Sequence, residues 1–211
     1  LDWCLAHPPA EGCTSFDDTC SFTVTSGIRT GENLGAQLVL TDTGLVAKIY
    51  DPLFYSFQDQ DFQDLEVDVA TAADSEYSIE AAAYSELQGT SVEGCITPEY
   101  NGSWTLNVTG DIQDEHITRQ VRLVLVEYVP GVRMADFEPH SLTPEVRRDI
   151  MVKVIEADYD IRRAGVRHDD ISPRNIIFSK RPNTANRNFR IRLVDFGHST
   201  VFKIRFGRPL R

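Results

Sequence analysis

His168-Asp169-Asp170-Ile171-Ser172-Pro173-Arg174-Asn175 is the stretch whose reading decides the fold of this chain. It is a short polar run set between two apolar segments of different period. Upstream, Thr143-Pro144-Glu145 is a helix start, with a capping hydroxyl and a proline at the first helical position. Val146, Ile150, Val154, Ile155 and Ile161 read as that helix's buried stripe, and Gly165 ends it. Downstream, residues 175–179 and 191–194 read as short strands around a polar loop. The second of them runs into Leu193-Val194-Asp195-Phe196-Gly197. Helix, polar loop, strand pair and Asp-Phe-Gly therefore follow one another within about sixty residues.

The first half is built differently. Residues 21–50 alternate apolar and polar, punctuated by Gly27, Gly31, Gly35 and Gly44. Residues 37–40 and 45–50 read as paired strands joined by a turn at 41–44. Residues 51–70 are acidic and read as a connecting loop with a short helix. Residues 74–88 predict a helix capped by Asp74 and ended by Gly89, with Ala81, Ala82 and Ala83 as strong helix formers. Tyr77, Glu80, Tyr84 and Leu87 fall on one face of it, and a carboxylate on an otherwise apolar face needs a partner. Strands are predicted at 103–108 and 121–129, and Pro130-Gly131 breaks the second. Residues 1–21 read as an irregular leader.

Composition bounds the function. The chain has 211 residues, 41% apolar and 25% charged, which is ordinary globular usage. No apolar run is long enough for a membrane helix, and no membrane partner is expected. The expected location is intracellular and cytoplasmic, with secretion left open. The chain opens on Leu1 rather than Met and is read as a fragment or trimmed product. The net charge of −11 is uneven: residues 1–116 hold two strong bases against 21 acids, while the remainder is net positive. Overall acidity argues against nucleic acid as a partner. Cys4, Cys13 and Cys20, with His7, lack the second paired spacing of a zinc site and read as loop thiols or one disulfide. The sequons at Asn101 and Asn107 matter only in a secreted chain.

With both motifs in order, the sequence resembles the protein-kinase-like superfamily, whose catalytic loop runs His-x-Asp-x-x-x-x-Asn and whose metal-binding tripeptide is Asp-Phe-Gly. The phrases Ala47-Lys48-Ile49-Tyr50-Asp51-Pro52, Glu80-Ala81-Ala82-Ala83-Tyr84 and Asp170 to Asn175 look most like the small, divergent kinase-like proteins of fungal genomes. The resemblance covers about residues 22–205. It implies an α+β, bilobal kinase-like fold, with an antiparallel-sheet N-lobe bearing one helix (22–126), a hinge (127–131) and a reduced, partly helical C-lobe (132–211). It implies ATP and magnesium as cofactors and a protein or small molecule as phosphate acceptor. Lys48 is similar to the lysine that grips the phosphates, and Glu80 to the helix glutamate that pairs with it. Asp170 matches the catalytic aspartate; Asn175 and Asp195 match the metal ligands. Glu127 and Val129 lie in the hinge-like phrase Val126-Glu127-Tyr128-Val129, where backbone groups hold adenine. Ala47, Ile177, Gly31 and Gly35 complete the nucleotide contacts that the resemblance implies.

The departures are specific. Asp169 stands where many protein kinases have arginine, so control by a phosphorylated activation loop is not expected. Ser172 replaces the catalytic-loop lysine, and Arg174 is the cation placed to restore that charge, or else it pairs with a neighbouring acid. Gly31 and Gly35 make only a degenerate glycine loop, and no Ala-Pro-Glu follows. Two functions are therefore expected in competition: an active phosphotransferase, or a pseudokinase that serves as a nucleotide-binding or interaction module.

Overall fold

The computed structural model describes residues 2–9, 19–58, 66–112, 115–182 and 188–206. Cys13 and residues 59–65 of the loop expected between 51 and 70 lie outside them. Two compact units result, Leu1–Ala81 with Asn101–Val126, and Ala82–Tyr100 with Glu127–Arg211. Residues 82–100, expected with the first lobe, pack in the second unit.

The first unit is organised by a five-stranded sheet. Its strands are β1 (Val24–Arg29), β2 (Gln37–Thr41), β3 (Leu45–Tyr50), β4 (Tyr100–Ile112) and β5 (Glu115–Glu127), in the order β1-β2-β3-β5-β4. β2 and β3 are antiparallel, with Val39 opposite Ala47 and Leu38 opposite Lys48. Their turn is closed by the Thr41 hydroxyl, which donates to the Leu45 carbonyl and accepts the Leu45 amide. Val39, Ala47, Leu123 and Leu125 form an apolar cluster against Phe22, Leu45, Ile49 and Trp104. Period-2 alternation places Val46, Lys48 and Tyr50 on the opposite face of β3. The leader is not wholly irregular: α1 (Asp2–Ala6) buries Cys4, and the Trp3 indole donates to Asp68 at 3.1 Å.

Helix α2 spans Val69–Leu87, five residues earlier than its expected start. Asp68, not Asp74, caps it, accepting the amides of Ala70 and Thr71 at 3.1 and 3.2 Å. Asp74 instead lies mid-helix and pairs with Arg122 of β5 at 3.3 Å. The expected face is the buried one: Tyr77, Glu80, Tyr84 and Leu87 are each at most 2% exposed.

The second unit is built on α3 (Pro144–Arg163), which starts where the sequence placed it, with the Thr143 hydroxyl accepting the Val146 amide. Val146, Ile150, Val154, Ala157 and Ile161 are its buried stripe. Ile155 is a correction: it is 63% exposed, because it lies a full 100° around the helix from Val154. β6 (Val132–Arg133), β8 (Ile176–Phe178) and β9 (Ile191–Leu193) form a small antiparallel sheet, and β7 (Val166–Arg167) pairs with β10 (Thr200–Val201). Phe178 sits edge-on to both Phe137 and Phe189, at 5.3 and 5.4 Å. A short α4 (Phe202–Phe206) follows. Gly131, at the break after β5, is fixed by space: a Cβ there would lie 2.3 Å from the Phe178 carbonyl oxygen. No helix among the described residues is long and apolar enough to cross a membrane.

Candidate functional site

In the first unit the chemistry gathers on the α2-facing side of β3. Lys48 is 6% exposed and Glu80 2%, and the Lys48 ammonium donates to Glu80 Oε2 at 2.5 Å. The Tyr50 hydroxyl donates to the same oxygen. Tyr50 is 1% exposed and meets Tyr77 edge-on at 5.7 Å, so the third member of the group is held by packing. Strand alternation explains the pairing of Lys48 with Tyr50, two residues apart. The same alternation corrects Ala47. It lies on the other face, fully buried among Val39, Leu123 and Leu125, and it is Val46 that shares the face of Lys48.

The loop carrying Gly31 and Gly35 is stapled by side chains. The Gly31 amide donates to Gln37 Oε1 at 2.7 Å, and Gln37 Nε2 returns hydrogen bonds to the carbonyls of Gly31 and Gly35. The Gly35 amide donates to the Phe54 carbonyl at 2.9 Å. Arg29 adds bonds to the carbonyls of Leu34 and Ala36. Both glycine amides, the donors a phosphate would use, are thus engaged within the protein. Nearby, the Tyr55 hydroxyl donates to Glu76 at 2.8 Å, and burial pushes its pKa far above the ordinary tyrosine value.

In the second unit the segment 168–175 is braced by backbone bonds. The Asp170 carbonyl accepts the Ser172 amide, the Ser172 carbonyl accepts the Asn175 amide, and the Asn175 carbonyl accepts the Val194 amide. The last bond ties the loop to the residue before Asp195. His168 is completely buried and its Nε2 lies 3.1 Å from the Val194 carbonyl, while its Nδ1 lies 3.4 Å from the Asp170 amide. A ring that donates from Nε2 and accepts at Nδ1 is neutral, and burial accordingly lowers its pKa. Asn175 Nδ2 donates to both the carbonyl and the carboxylate Oδ2 of Asp170, at 3.0 and 2.9 Å. That turns the amide oxygen of Asn175 away from Asp170. Arg174 Nη2 meets the same Oδ2 at 2.7 Å. The neighbour of Arg174 is therefore Asp170, whereas Asp169 is held by Arg167 and by the Thr200 hydroxyl. Burial pulls the Asp169 carboxyl up, but those two partners outweigh it and hold its pKa below the usual range.

Asp195 has φ 69°, a left-handed conformation rare outside glycine, and so does Asp169 at 61°. Phe196 is fully buried, with its ring 4.5 Å from His168 and 5.1 Å from Tyr84. Its packing anchors the backbone next to Asp195. Asn175 and Asp195 present hard oxygen donors, the chemistry that suits magnesium. Ile177 is half-buried on β8, opposite Arg192 of β9.

Glu127 shows a connection that sequence reading missed. Arg192 grips its carboxylate with both Nη atoms, at 2.9 and 3.0 Å, and bonds the Thr97 carbonyl at 2.7 Å. The partners are 65 residues apart, and no local pattern signals their meeting.

This is a protein-kinase-like α+β fold, with a mostly antiparallel sheet and few helices. A kinase-like protein, WaaP in complex with acyl carrier protein, matches it with a TM-score of 0.50 and 18% sequence identity, over 84% of this chain. The chain spans 63% of the length of that WaaP chain. Solved structures match in number, 482 chains in all. No family model matches the sequence, and no curated protein does.

Proposed function

We propose that this protein is an ATP- and magnesium-dependent phosphotransferase acting on a hydroxyl of a protein or a small molecule. The observation that carries the reading is the buried Lys48–Glu80 pair. Taking two charges out of water costs about as much as their attraction returns, so a buried pair is weak evidence of a stabilising role. A lysine held in place by a carboxylate on the adjoining helix is what a phosphate grip requires.

The remaining residues take roles that fit their surroundings. Lys48 neutralises phosphate charge; since the Gly31 and Gly35 amides are engaged, that task falls on its ammonium. Asn175, through its amide oxygen, and Asp195 would hold magnesium, which when bound screens the phosphate charge. Asp170 orients the acceptor hydroxyl and receives its proton. Arg174 and Asn175 both donate to Asp170, which fixes the orientation of its carboxylate. Glu127 and Val129 offer backbone groups to the base.

The rival reading is a nucleotide-binding module without turnover. Two observations favour it: the stapled glycine loop, and the Arg174 ion pair on Asp170. Phosphotransfer and ATP hydrolysis by the purified protein with magnesium, beside Asp170→Asn, separate the two. Turnover lost in Asp170→Asn supports the enzyme; MgATP binding with the same negligible turnover in both proteins supports the module.

A further inference from the structure

We infer that Arg192 is a positioning residue for nucleotide-base recognition, acting through Glu127; this rests on the nucleotide reading above. The observation is a closed set of bonds inside the second unit. Arg192 holds the Glu127 carboxylate as a two-pronged fork and anchors to the Thr97 carbonyl. The Glu127 amide donates to the Glu99 carbonyl at 2.9 Å, and the Glu99 amide donates back to Glu127 Oε2 at 3.1 Å. Next to Arg192, the Leu193 amide donates to the Ile96 carbonyl at 2.8 Å.

One guanidinium therefore joins three segments: the residues after α2, the start of the hinge-like phrase, and the strand that leads to Asp195. Of the two backbone polar groups of Glu127, the amide is committed to Glu99, so a base contact at this residue goes to its carbonyl. The residue carrying that carbonyl is held at both ends, by the fork on its carboxylate and by the Glu99 bonds to its amide and carboxylate. Planar, bidentate pairs fix orientation as well as distance, and a lysine in their place keeps the charge and loses the geometry. Arg192 touches neither phosphate nor acceptor in this scheme, so its removal weakens recognition of the base alone.

The test compares MgATP with magnesium tripolyphosphate, which has the charge and no base, on the whole chain. Calorimetric Kd values are measured for wild type, Arg192→Met and Arg192→Lys, with the melting temperature of each. The expected result is a loss on the order of tenfold for MgATP in Arg192→Met, as for two hydrogen bonds misplaced, with tripolyphosphate affinity unchanged within about twofold. Arg192→Lys should lose about threefold for MgATP alone, and it carries the test should the methionine variant fail to fold. Equal weakening of both ligands, or full MgATP affinity in the folded variants, would overturn the inference while the nucleotide reading stands. Failure of the wild type to prefer MgATP over tripolyphosphate would overturn both.

Discussion

The two units hold their charged residues in opposite ways. On β3, Lys48 and Glu80 have side chains 8% and 2% exposed, and each depends on the other and on Tyr50. In the loop after α3, the Arg174–Asp170 pair is 61% and 20% exposed, and the loop's shape comes from backbone bonds running from Asp170 to Val194. The first arrangement is a buried network, in which the loss of one member strands the rest. The second is a loop framed by backbone bonds, with the Arg174 side chain largely exposed and that of Asp170 only partly so. Under the proposed function, stability and chemistry would be coupled at Lys48 and separable at Arg174.

That contrast is broken or sharpened by substitution. The largest effect belongs to Lys48→Met, which leaves the Glu80 carboxylate buried without its cation. It should cost roughly 3–5 kcal/mol and lower the melting temperature on the order of 10 °C. Replacing the whole network, Lys48→Met with Tyr50→Phe and Glu80→Leu, should recover most of that loss, since a packed apolar set carries no stranded charge. A melting temperature for Lys48→Met within a degree or two of wild type would erase the difference between the units.

An intermediate effect comes from His168, the one buried titratable ring of the loop. Its folded pKa is depressed by burial, so between the ordinary histidine value near 6.5 and that lower value the unfolded chain binds the extra proton. Stability is then full above about pH 7 and falls as the pH drops below about 6.5. Thermal melts from pH 8 to 5 should show this acid limb, and His168→Asn should flatten it. A limb of unchanged slope in the variant assigns the proton elsewhere.

The smallest effect on stability is expected at Arg174. Its exposed pair with Asp170 is screened by water, and Arg174→Ala should change stability by less than about 0.5 kcal/mol. If the loop needs this cation for the transferred phosphoryl group, turnover should fall on the order of a hundredfold on the same sample, with MgATP affinity nearly kept. Full turnover, or a large drop in melting temperature, would make Arg174 a structural residue and blur the contrast.

Much of this was legible in the sequence, for local reasons. Thr143-Pro144 names the start of α3 because capping and proline geometry act over a few residues. The α2 face was legible because Tyr77, Glu80, Tyr84 and Leu87 repeat at three and four. The errors are also physical. The start of α2 was missed because Asp68 is one of many acids in its stretch, and only the folded backbone shows which of them caps. Ala157 was overlooked on α3 because a small side chain gives a weak periodic signal, and Ile155 was taken in its place. Ala47 was read beside Lys48 from the phrase they share, whereas adjacent strand residues point to opposite faces. The Arg192–Glu127 fork and the Gln37 staple depend on where the chain turns back, which no single segment encodes.

Pro130-Gly131 invites reading as a swivel, since glycine is the residue of free rotation. Here it works as a rivet. Proline fixes one torsion, and the α-carbon of Gly131 is pressed against the Phe178 backbone so closely that a methyl group has no room. In a saturation library Gly131 should be among the least tolerant positions of the chain, intolerant of alanine as much as of tryptophan, for want of a single carbon's volume.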